Sequence, residues 1–547
     1  MDRRLPLLAL GIAALALPAA AWADDDAAHP IKPAPHVDVT PYIEADQVVT
    51  AEVAPGSDTV TYTSVAAGVD VSATGHYSAA SASVRYERHF GESAGFSDSD
   101  TISGVARASV ALVPHTLTVE AGALASRDSV DSRGGTFAGA FATGDGDTSR
   151  IYSGYIGPSV ETQAGDLQIE GHYRFGYTKV KEPTAVTVGT TGIVPVDLAD
   201  QSTTHNAQAR IGFKPYTIAP VGAGIGGMWV EQDVSNLDQR VRDRNVRGDV
   251  VVPVSPSLAF VGGAGYEDVE VSSRDAKRDA AGNPIIGSDG RYVTDKSAPR
   301  RIAYQTDGLI YDVGVMWRPS TRTSLEAYVG RRYDSTTYYG DFAYKPNSRE
   351  SVNVSVYDGI TSFGGLITDQ LAGLPSQFTA VRNALTGDVG GCVSSLEGGS
   401  CLGGALGSLT SAAFRSRGVS ATYSIALGRT TVGMGVGYDR RTFIAAPGTV
   451  IAAANGVVDE TWWASVYATT KIDSRSSLSG SASADWFDSG FAGSGGKAVG
   501  YTASVAYYRH IIAGLSGTAA VGLDGIRQDK LPDLLSASAL LGLRYEY

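Results

Sequence analysis

Residues 167–177 read LQIEGHYRFGY, and this stretch decides the fold. Its odd-numbered positions carry Leu, Ile, Gly, Tyr, Phe and Tyr, whereas its even-numbered positions carry Gln, Glu, His, Arg and Gly. A period of two puts successive side chains on opposite faces of a β-strand. The same alternation recurs in 419–427, 478–486 and 515–524. The sequence therefore predicts an all-β chain whose strands have one apolar and one polar face.

The apolar face of these strands differs from the inner face of a soluble β-sandwich. Sandwich cores use bulky Val, Leu, Ile and Phe at high packing density. Here Ala and Gly interrupt the apolar face, and the strands end in Tyr or Trp, as in the aromatic girdles of membrane barrels. We assign the following residues to such girdles: Trp229, Trp317, Tyr333, Tyr438, Trp462, Trp463, Trp486 and Tyr507.

The connections between the alternating runs follow a regular order. We count about 22 runs between His36 and Tyr547, within a range of roughly 18–24. Short turns alternate with longer connections, which include 128–147, 183–199, 274–301 and 362–410. An even strand number with short turns on one rim and long loops on the other is typical of bacterial outer-membrane barrels. The sequence thus predicts a transmembrane antiparallel up-and-down β-barrel, with short periplasmic turns and long extracellular loops.

The N-terminal residues form an export signal of their own. A short charged start precedes an apolar run from Leu5 to Ala20, which ends in a small-residue triplet at Ala23. This pattern predicts a secretory signal peptide cleaved between Ala23 and Asp24, and hence a Gram-negative outer-membrane location. We expect a signal peptide, a charged and Pro-rich disordered periplasmic tail, and a single barrel, with these bounds: 1–23, 24–35 and 36–547.

The C-terminal residues complete the pattern. The chain ends in ALLGLRYEY, which places Leu541, Leu543, Tyr545 and Tyr547 on one face of a last strand. This ending resembles the insertion signal of outer-membrane barrels. We therefore expect outer-membrane lipid, lipopolysaccharide and the barrel-assembly machinery as partners.

Composition excludes several other classes of function. The formal net charge of -13 makes a nucleic-acid partner improbable, because such proteins present basic surfaces. The eight histidines are scattered and form no HExxH or HxH spacing, so we expect no metal and no cofactor. We expect no enzyme either. A membrane-embedded hydrolase with Ser, His and Asp on neighbouring strands is the lesser alternative.

Charged residues within strands predict which face lines the interior. A charge facing lipid at the midplane costs roughly 2–4 kcal/mol, so these residues should face the lumen. They either set the polarity of a pore or form a network of ion pairs that stiffens the barrel, and both interpretations stay open. The predicted lumen residues are Arg85, Glu87, Arg107, Glu120, Glu170, His172, Arg174, Gln208, Arg210, Asp312, Glu326, Asp341 and Asp485.

The long connection 362–410 has a pattern of its own. Residues 375–387 begin with Pro, end with Gly and carry spaced apolar residues, which predicts a short amphipathic helix. Cys392 and Cys401 follow in a compartment that permits oxidation, and we expect a local disulfide between them. A loop of this length either caps the barrel or folds into it. We interpret it as a gate or constriction.

Part of the chain resembles a known family. The stretches DGLIYDVGVMWRPSTRTSL at 307–325, YVGRRYDST at 328–336 and SRESVNVSVY at 348–357 carry the resemblance. They are similar to the outer-membrane β-barrel porins associated with exopolysaccharide and exosortase (PEP-CTERM) gene clusters of proteobacteria. The resemblance covers about a quarter of the chain well. It implies an outer-membrane barrel linked to polysaccharide export, and it transfers no catalytic or binding residue.

Two functions therefore compete. The first is a channel or porin that supports exopolysaccharide export or passes small polar solutes, with exported polysaccharide or its secretion machinery as a partner. The alternative is a non-conducting structural or adhesive barrel that presents long surface loops. We expect no TonB-type transporter, since only about 12 residues separate Ala23 from the first strand, too few for a plug domain.

Overall fold

The structure is a computed structural model, and it describes most of the chain from residue 35 onward. The predicted signal peptide, its cleavage residues Ala23 and Asp24, and the predicted tail up to residue 34 lie outside the described residues. The described ranges are 35–56, 58–92, 98–130, 136–137, 148–181, 201–287, 291–395, 400–402, 406, 412–490, 496–529 and 532–547.

One antiparallel sheet forms nearly the whole structure. It holds 23 strands, of which the two-residue β6 lies beside β5, and the other 22 pair in chain order. The strands of the sheet are β1 His36–Ala54, β2 Thr59–Thr74, β3 Ser78–Gly91, β4 Ser99–Val113, β5 Leu117–Val130, β6 Thr136–Phe137, β7 Thr148–Ala164, β8 Leu167–Lys181, β9 Gln201–Phe213, β10 Gly222–Val234, β11 Gln239–Ser255, β12 Leu258–Ser273, β13 Arg301–Ser320, β14 Thr323–Arg332, β15 Ser335–Asn347, β16 Glu350–Thr361, β20 Ala413–Leu427, β21 Thr430–Ile444, β22 Val458–Lys471, β23 Ser476–Ser489, β24 Gly496–Ile512, β25 Leu515–Gln528 and β26 Leu534–Glu546.

Two 3-10 helices, Asn236–Asp238 and Ala452–Ala454, lie in connections of the sheet, and the remaining described elements lie between β16 and β20. They are the helix α1 Phe363–Ala372 and a small sheet made of β17 Thr379–Arg382, β18 Val389–Ser394 and β19 Ser400–Cys401. No helix among the described residues has the length and hydropathy needed to cross a membrane.

The first and last strands close the ring. β26 pairs with β1 over most of its length, from Glu546 opposite Tyr42 to Leu535 opposite Ala54. This pairing satisfies the backbone groups that would otherwise be free at two sheet edges. The prediction of an all-β, antiparallel, up-and-down barrel of about 22 strands is confirmed.

The connections separate into two rims. On one rim every connection is short, from the two-residue turn Gly428-Arg429 to residues 214–221. The other rim carries the long connections, among them 182–200, 274–300 and 362–412. We call these the short-turn rim and the long-loop rim. The predicted alternation of short and long connections is therefore confirmed.

Exposure alternates along the strands as the period of two predicts. On β3, Arg85 and Glu87 are buried, whereas the intervening Val84 and Tyr86 are exposed on the outside. The last strand follows the same rule, since Leu541 and Leu543 are 69% and 51% exposed on the outer face. The apolar faces of the strands thus point outward and the polar faces point into the ring.

Two of the residues assigned to aromatic girdles point inward, so those two assignments are wrong. Trp462 and Trp463 are neighbours on β22, so only one can face outward; Trp462 is 55% exposed and Trp463 only 5%. Tyr333 lies in the turn between β14 and β15 with a φ of 54°. Its hydroxyl donates to Asp243 across 2.8 Å inside the ring.

We predict that arginine destabilises the barrel at an outward mid-strand position and does so less at the adjacent inward one. Ala482 faces outward on β23, whereas Ser483 faces into the ring. An outward Ala482→Arg should lower the free energy of unfolding by about 2–4 kcal/mol, because the charge would meet lipid in the predicted membrane barrel. Urea unfolding in lipid vesicles measures this, with Ser483→Arg as the matched control. Equal destabilisation by both variants would contradict the assignment of faces.

Candidate functional site

The segment 362–412 connects β16 to β20, and its described residues fold into the ring. Ser362 is the N-cap of its helix α1, and the Ser362 hydroxyl accepts a hydrogen bond from the Gly365 backbone N–H across 3.2 Å. The helix packs against the inward faces of β5, β7, β8 and β9. Ile367 of the helix is fully buried in one apolar cluster with Leu124 and Ile151 of these strands. The first half of the segment therefore lies against the wall inside the barrel.

The predicted helix over 375–387 is wrong. Part of that stretch forms β17, which pairs with β18. The backbone N–H of Phe378 donates to the hydroxyl of Ser81 on the wall across 3.1 Å. Contacts with the wall and with β18 thus outweigh the local helical pattern, and the helix of the segment begins directly after β16 instead.

One arginine attaches the middle of the segment to β3 and β4. The Arg382 guanidinium donates to the hydroxyls of Ser83 and Ser103 across 3.0 and 2.8 Å. It also donates to the backbone carbonyls of Ser83, Ser103 and Gly387 across 2.9, 3.3 and 2.6 Å. Guanidinium carries five N–H donors in a rigid fork, so this site uses nearly all of its capacity.

Two ion pairs hold the segment at further points. Arg127 of β5 lies 2.9 Å from Asp388, and both side chains are largely buried. Arg174 of β8 lies 3.0 Å from Asp369 of α1. The nitrogens Nε and Nη2 of Arg127 both donate to the Oδ2 oxygen of Asp388, across 3.2 and 2.9 Å. Hydrogen bonds between charged groups are stronger than neutral ones, so this buried pair holds the segment firmly.

The segment also contacts two further parts of the wall. Leu385 is buried in an apolar cluster with Val48 of β1 and Leu540 of β26. The carbonyl of Ser395 accepts a hydrogen bond from the Ser424 hydroxyl of β20 across 2.9 Å. Contacts on β3–β5, β8, β20 and the closing strands show that the segment crosses the lumen.

The two cysteines lie within this crossing. Cys392 of β18 and Cys401 of β19 are opposite each other in the small sheet and joined by a disulfide. The Trp463 indole lies close to the same place, against Gly435 and Gly437, where any Cβ atom would clash with the ring. A covalent link therefore closes the end of the crossing segment beside the β21–β22 wall.

A cavity of 880 Å³ remains between the segment and part of the wall. Its wall side is formed by β9, β10, β11, β14–β16 and β20. It extends from Lys345, near the short-turn end of β15, to Thr361, the last residue of β16. It thus follows most of the height of the barrel.

The predicted lumen residues occupy inward positions by strand alternation, and many of them are paired. Arg85 contacts Glu44, Asp46 and Glu87, which all face inward. Gln208 and Asp341 line the cavity. The remaining pairs are Arg107 with Glu120 at 3.2 Å, Arg174 with Asp369 at 3.0 Å, Arg210 with Asp249 at 2.7 Å, Asp312 with Arg247 at 2.6 Å and Glu326 with Arg318 at 2.5 Å.

These pairs support the interpretation of the charges as an ion-pair network. Glu170, His172 and Arg174 share the inward face of β8, and Asp485 lies on the inward face of β23. Arg210 and Arg247 both lie near Asp249, which links the inward faces of β9 and β11. Most of the lumen charge is therefore compensated within the wall.

Sequence reasoning missed the residues that hold the segment. Arg382 lay in the predicted helix, and nothing in its local pattern indicates a contact with strands about 300 positions earlier. Arg127 and Asp388 were missed for the same reason. A second missed group, at the long-loop end of β14, joins Arg332 to Asp243 and Glu267 across 2.6 and 3.0 Å.

Comparison with known proteins gives fold-level similarities. No family model matches the chain, and no curated protein matches it either. It is similar to the ferric-catecholate import receptor Fiu from E. coli K12, with 9% identity, a TM-score of 0.44, and coverage of 92% of this chain and 81% of that one.

Two further solved structures are similar to a comparable extent. For the siderophore receptor PiuA from Acinetobacter baumannii the identity is 11%, the TM-score 0.38 and the coverage 92% and 82%. For the copper transporter OprC the identity is 10%, the TM-score 0.41 and the coverage 95% and 82%. Likenesses of this extent say nothing about what the present chain binds. The resemblance to exosortase-associated porins stays a prediction.

We predict that Arg382 controls the local stability of the crossing segment. In Arg382→Met, the segment loses the hydrogen bonds of the guanidinium to Ser83, Ser103 and Gly387, each of which contributes about 0.5–1.5 kcal/mol. Hydrogen–deuterium exchange within 379–394 should therefore accelerate at least about tenfold. The control is Arg527→Met, which removes an exposed arginine paired with Asp533 on the outer face. Unchanged exchange in Arg382→Met would contradict the anchoring role.

Proposed function

We propose that this protein is an outer-membrane channel for small polar solutes whose lumen is constricted by its own segment 362–412. The observation that carries this proposal is the cavity of 880 Å³, which follows the wall from Lys345 to Thr361 beside the inward-folded segment. Wide barrels of this strand number enclose a lumen that must be filled or left as a channel. Here the segment fills one part of the lumen and leaves another part open as the cavity.

The outer surface supports a membrane location. Leu309 and Val313 of β13 are 77% and 63% exposed at outward positions, and Tyr266, opposite Leu309 on the neighbouring β12, is 51% exposed. Soluble monomers rarely expose continuous apolar surfaces of such extent. A closed ring also leaves no unpaired strand edge, which is required of any sheet within lipid. Together with the predicted export signal and C-terminal insertion signal, these features favour the outer membrane of a Gram-negative bacterium.

The remaining partners follow from this location. We propose that the short-turn rim faces the periplasm and the long-loop rim faces outside, where lipopolysaccharide surrounds the barrel. Assembly would require the barrel-assembly machinery to read the last strand. We propose no catalytic role. A role in exopolysaccharide export rests on the family resemblance, and a polymer would need the segment to leave the lumen.

A second candidate function is a non-conducting structural or adhesive barrel. The specific observation that favours it is a contact above the hairpin of β14 and β15, at one part of the long-loop rim. There Val241 of β11 and Val271 of β12 share a buried apolar cluster with Ile360 of β16 and Ala413 of β20. Such a contact would block passage at that part of the rim if it were permanent.

Conductance distinguishes the two candidates. In planar bilayers, deletion of 366–405 should raise single-channel conductance several-fold over that of the full-length chain, because the constriction is removed. The matched control deletes 491–494, in another connection of the same rim. If neither the full-length chain nor the 366–405 deletion conducts, while both fold, the channel is refuted and the structural function is favoured.

A further inference from the structure

The cavity beside the crossing segment offers mainly neutral hydrogen-bonding groups. Amides and hydroxyls reach it from three sides: β9, the segment itself and the β16–β20 wall. They include Asn206, Gln208, Gln370, Asn353, Ser420 and Thr422. The volume of 880 Å³ lies within the range of roughly 300–1,000 Å³ that is usual for small-molecule sites. The cavity is therefore large enough to hold a solute.

Three of the carboxylates that line the cavity are already compensated. Asp243 lies 2.6 Å from Arg332 and also accepts from Tyr333. Asp369 pairs with Arg174 at 3.0 Å. The Asp358 carboxylate is fully buried and lies 2.7 Å from Arg415. Since these charges are satisfied by the protein, they offer little to an ionic solute.

The two other charged residues of the lining are Asp341 and Lys345, which share the inward face of β15. They are four residues apart, about 13 Å along the strand. Because they are opposite in sign, together they add no net charge to the lining. A free anion or cation would therefore gain little net Coulomb energy in the cavity and would lose its hydration shell.

Two amide oxygens in the lining have unused capacity. Asn206 is only 8% exposed, and its side chain hydrogen-bonds to Asp369. Its oxygen Oδ1 and the oxygen Oε1 of Gln370 are buried without a hydrogen-bond partner among the described residues. A buried acceptor left unpaired costs about 1–3 kcal/mol. Both oxygens accept only, so the matching ligand must supply N–H or O–H donors.

Apolar side chains lie among these polar groups. Met228 and Val230 of β10 and Leu366 of α1 line the same cavity. A ligand that matches this lining has donors and acceptors along its rim and apolar C–H groups on its faces. Sugar rings have this arrangement.

We propose that this cavity binds a neutral polyhydroxylated ligand of one to a few sugar rings. Asn206 Oδ1 and Gln370 Oε1, which the protein itself covers in this structure, turn towards the ligand and accept hydrogen bonds from its hydroxyls. Met228 and Leu366 contact its C–H faces. This inference names the solute class of the proposed channel and rests on that function for its biological meaning. The binding itself can be measured without conduction.

The test is calorimetric titration of the full-length chain in detergent with maltotriose, cellotriose and raffinose, each compared with the anionic trigalacturonate. At least one neutral sugar should bind at least tenfold more tightly than trigalacturonate. Asn206→Leu and Gln370→Leu should each weaken that binding at least tenfold. The matched control is Gln163→Leu, an exposed glutamine near the short-turn rim that does not line the cavity.

A folding readout accompanies each titration. The gel shift between folded and heated protein should be the same in all variants, and Asn206→Ser replaces Asn206→Leu if the latter does not fold. The proposal is overturned if no neutral sugar binds, if trigalacturonate binds as tightly, or if the folded variants bind like the unsubstituted chain. Conductance recorded on the same preparation separates the two proposals, because binding without conductance refutes only the channel, and conductance without binding refutes only the sugar site.

Discussion

The pairing of β26 with β1 is the constraint on which the rest of the structure depends. Without it, two long strands would each expose a row of unpaired backbone groups, and an unpaired edge is not tolerated within lipid. Closure also dictates which face of every strand is inside. Because the ring contains 22 strands, its lumen is too wide for wall side chains alone to fill. The interior must then be occupied by chain, by solute or by water.

The segment 362–412 occupies part of the lumen, and different residues of the segment make different kinds of contact with the wall. Its apolar residues, such as Ile367 and Leu385, pack into separate clusters on different parts of the wall. Arg382 and the pair of Arg127 with Asp388 fix its middle by hydrogen bonds and charge. The wall that the segment leaves uncovered lines the cavity, where charges are paired and neutral amides are available. The channel proposal and the sugar proposal are therefore two consequences of one placement.

The sequence predicts the structure of the barrel wall better than that of the segment inside the barrel. Strand alternation predicts correctly which wall residues face inward. Each inward or outward position depends only on parity along a strand, as for Arg85 and Glu87 on β3. The girdle assignments failed at Trp463, because the neighbouring Trp462 and Trp463 cannot share one face, and at Tyr333, because it lies in a turn. The structure of the crossing segment was harder to predict from the sequence. Residues 375–387 have a helical pattern, but they form a strand and a turn against Ser81 and Ser83.

By itself the sequence determined the all-β class, the approximate strand number, the two kinds of rim and the polarity of the two faces. These properties follow from short-range periodicity, which a strand expresses wherever it is placed. Only the tertiary structure decided that α1 follows β16 directly, that Arg382 bonds β3 and β4, and that Asn206 and Gln370 share one cavity. The physical reason is that these contacts join residues hundreds of positions apart. Their partners become neighbours only once the ring has closed.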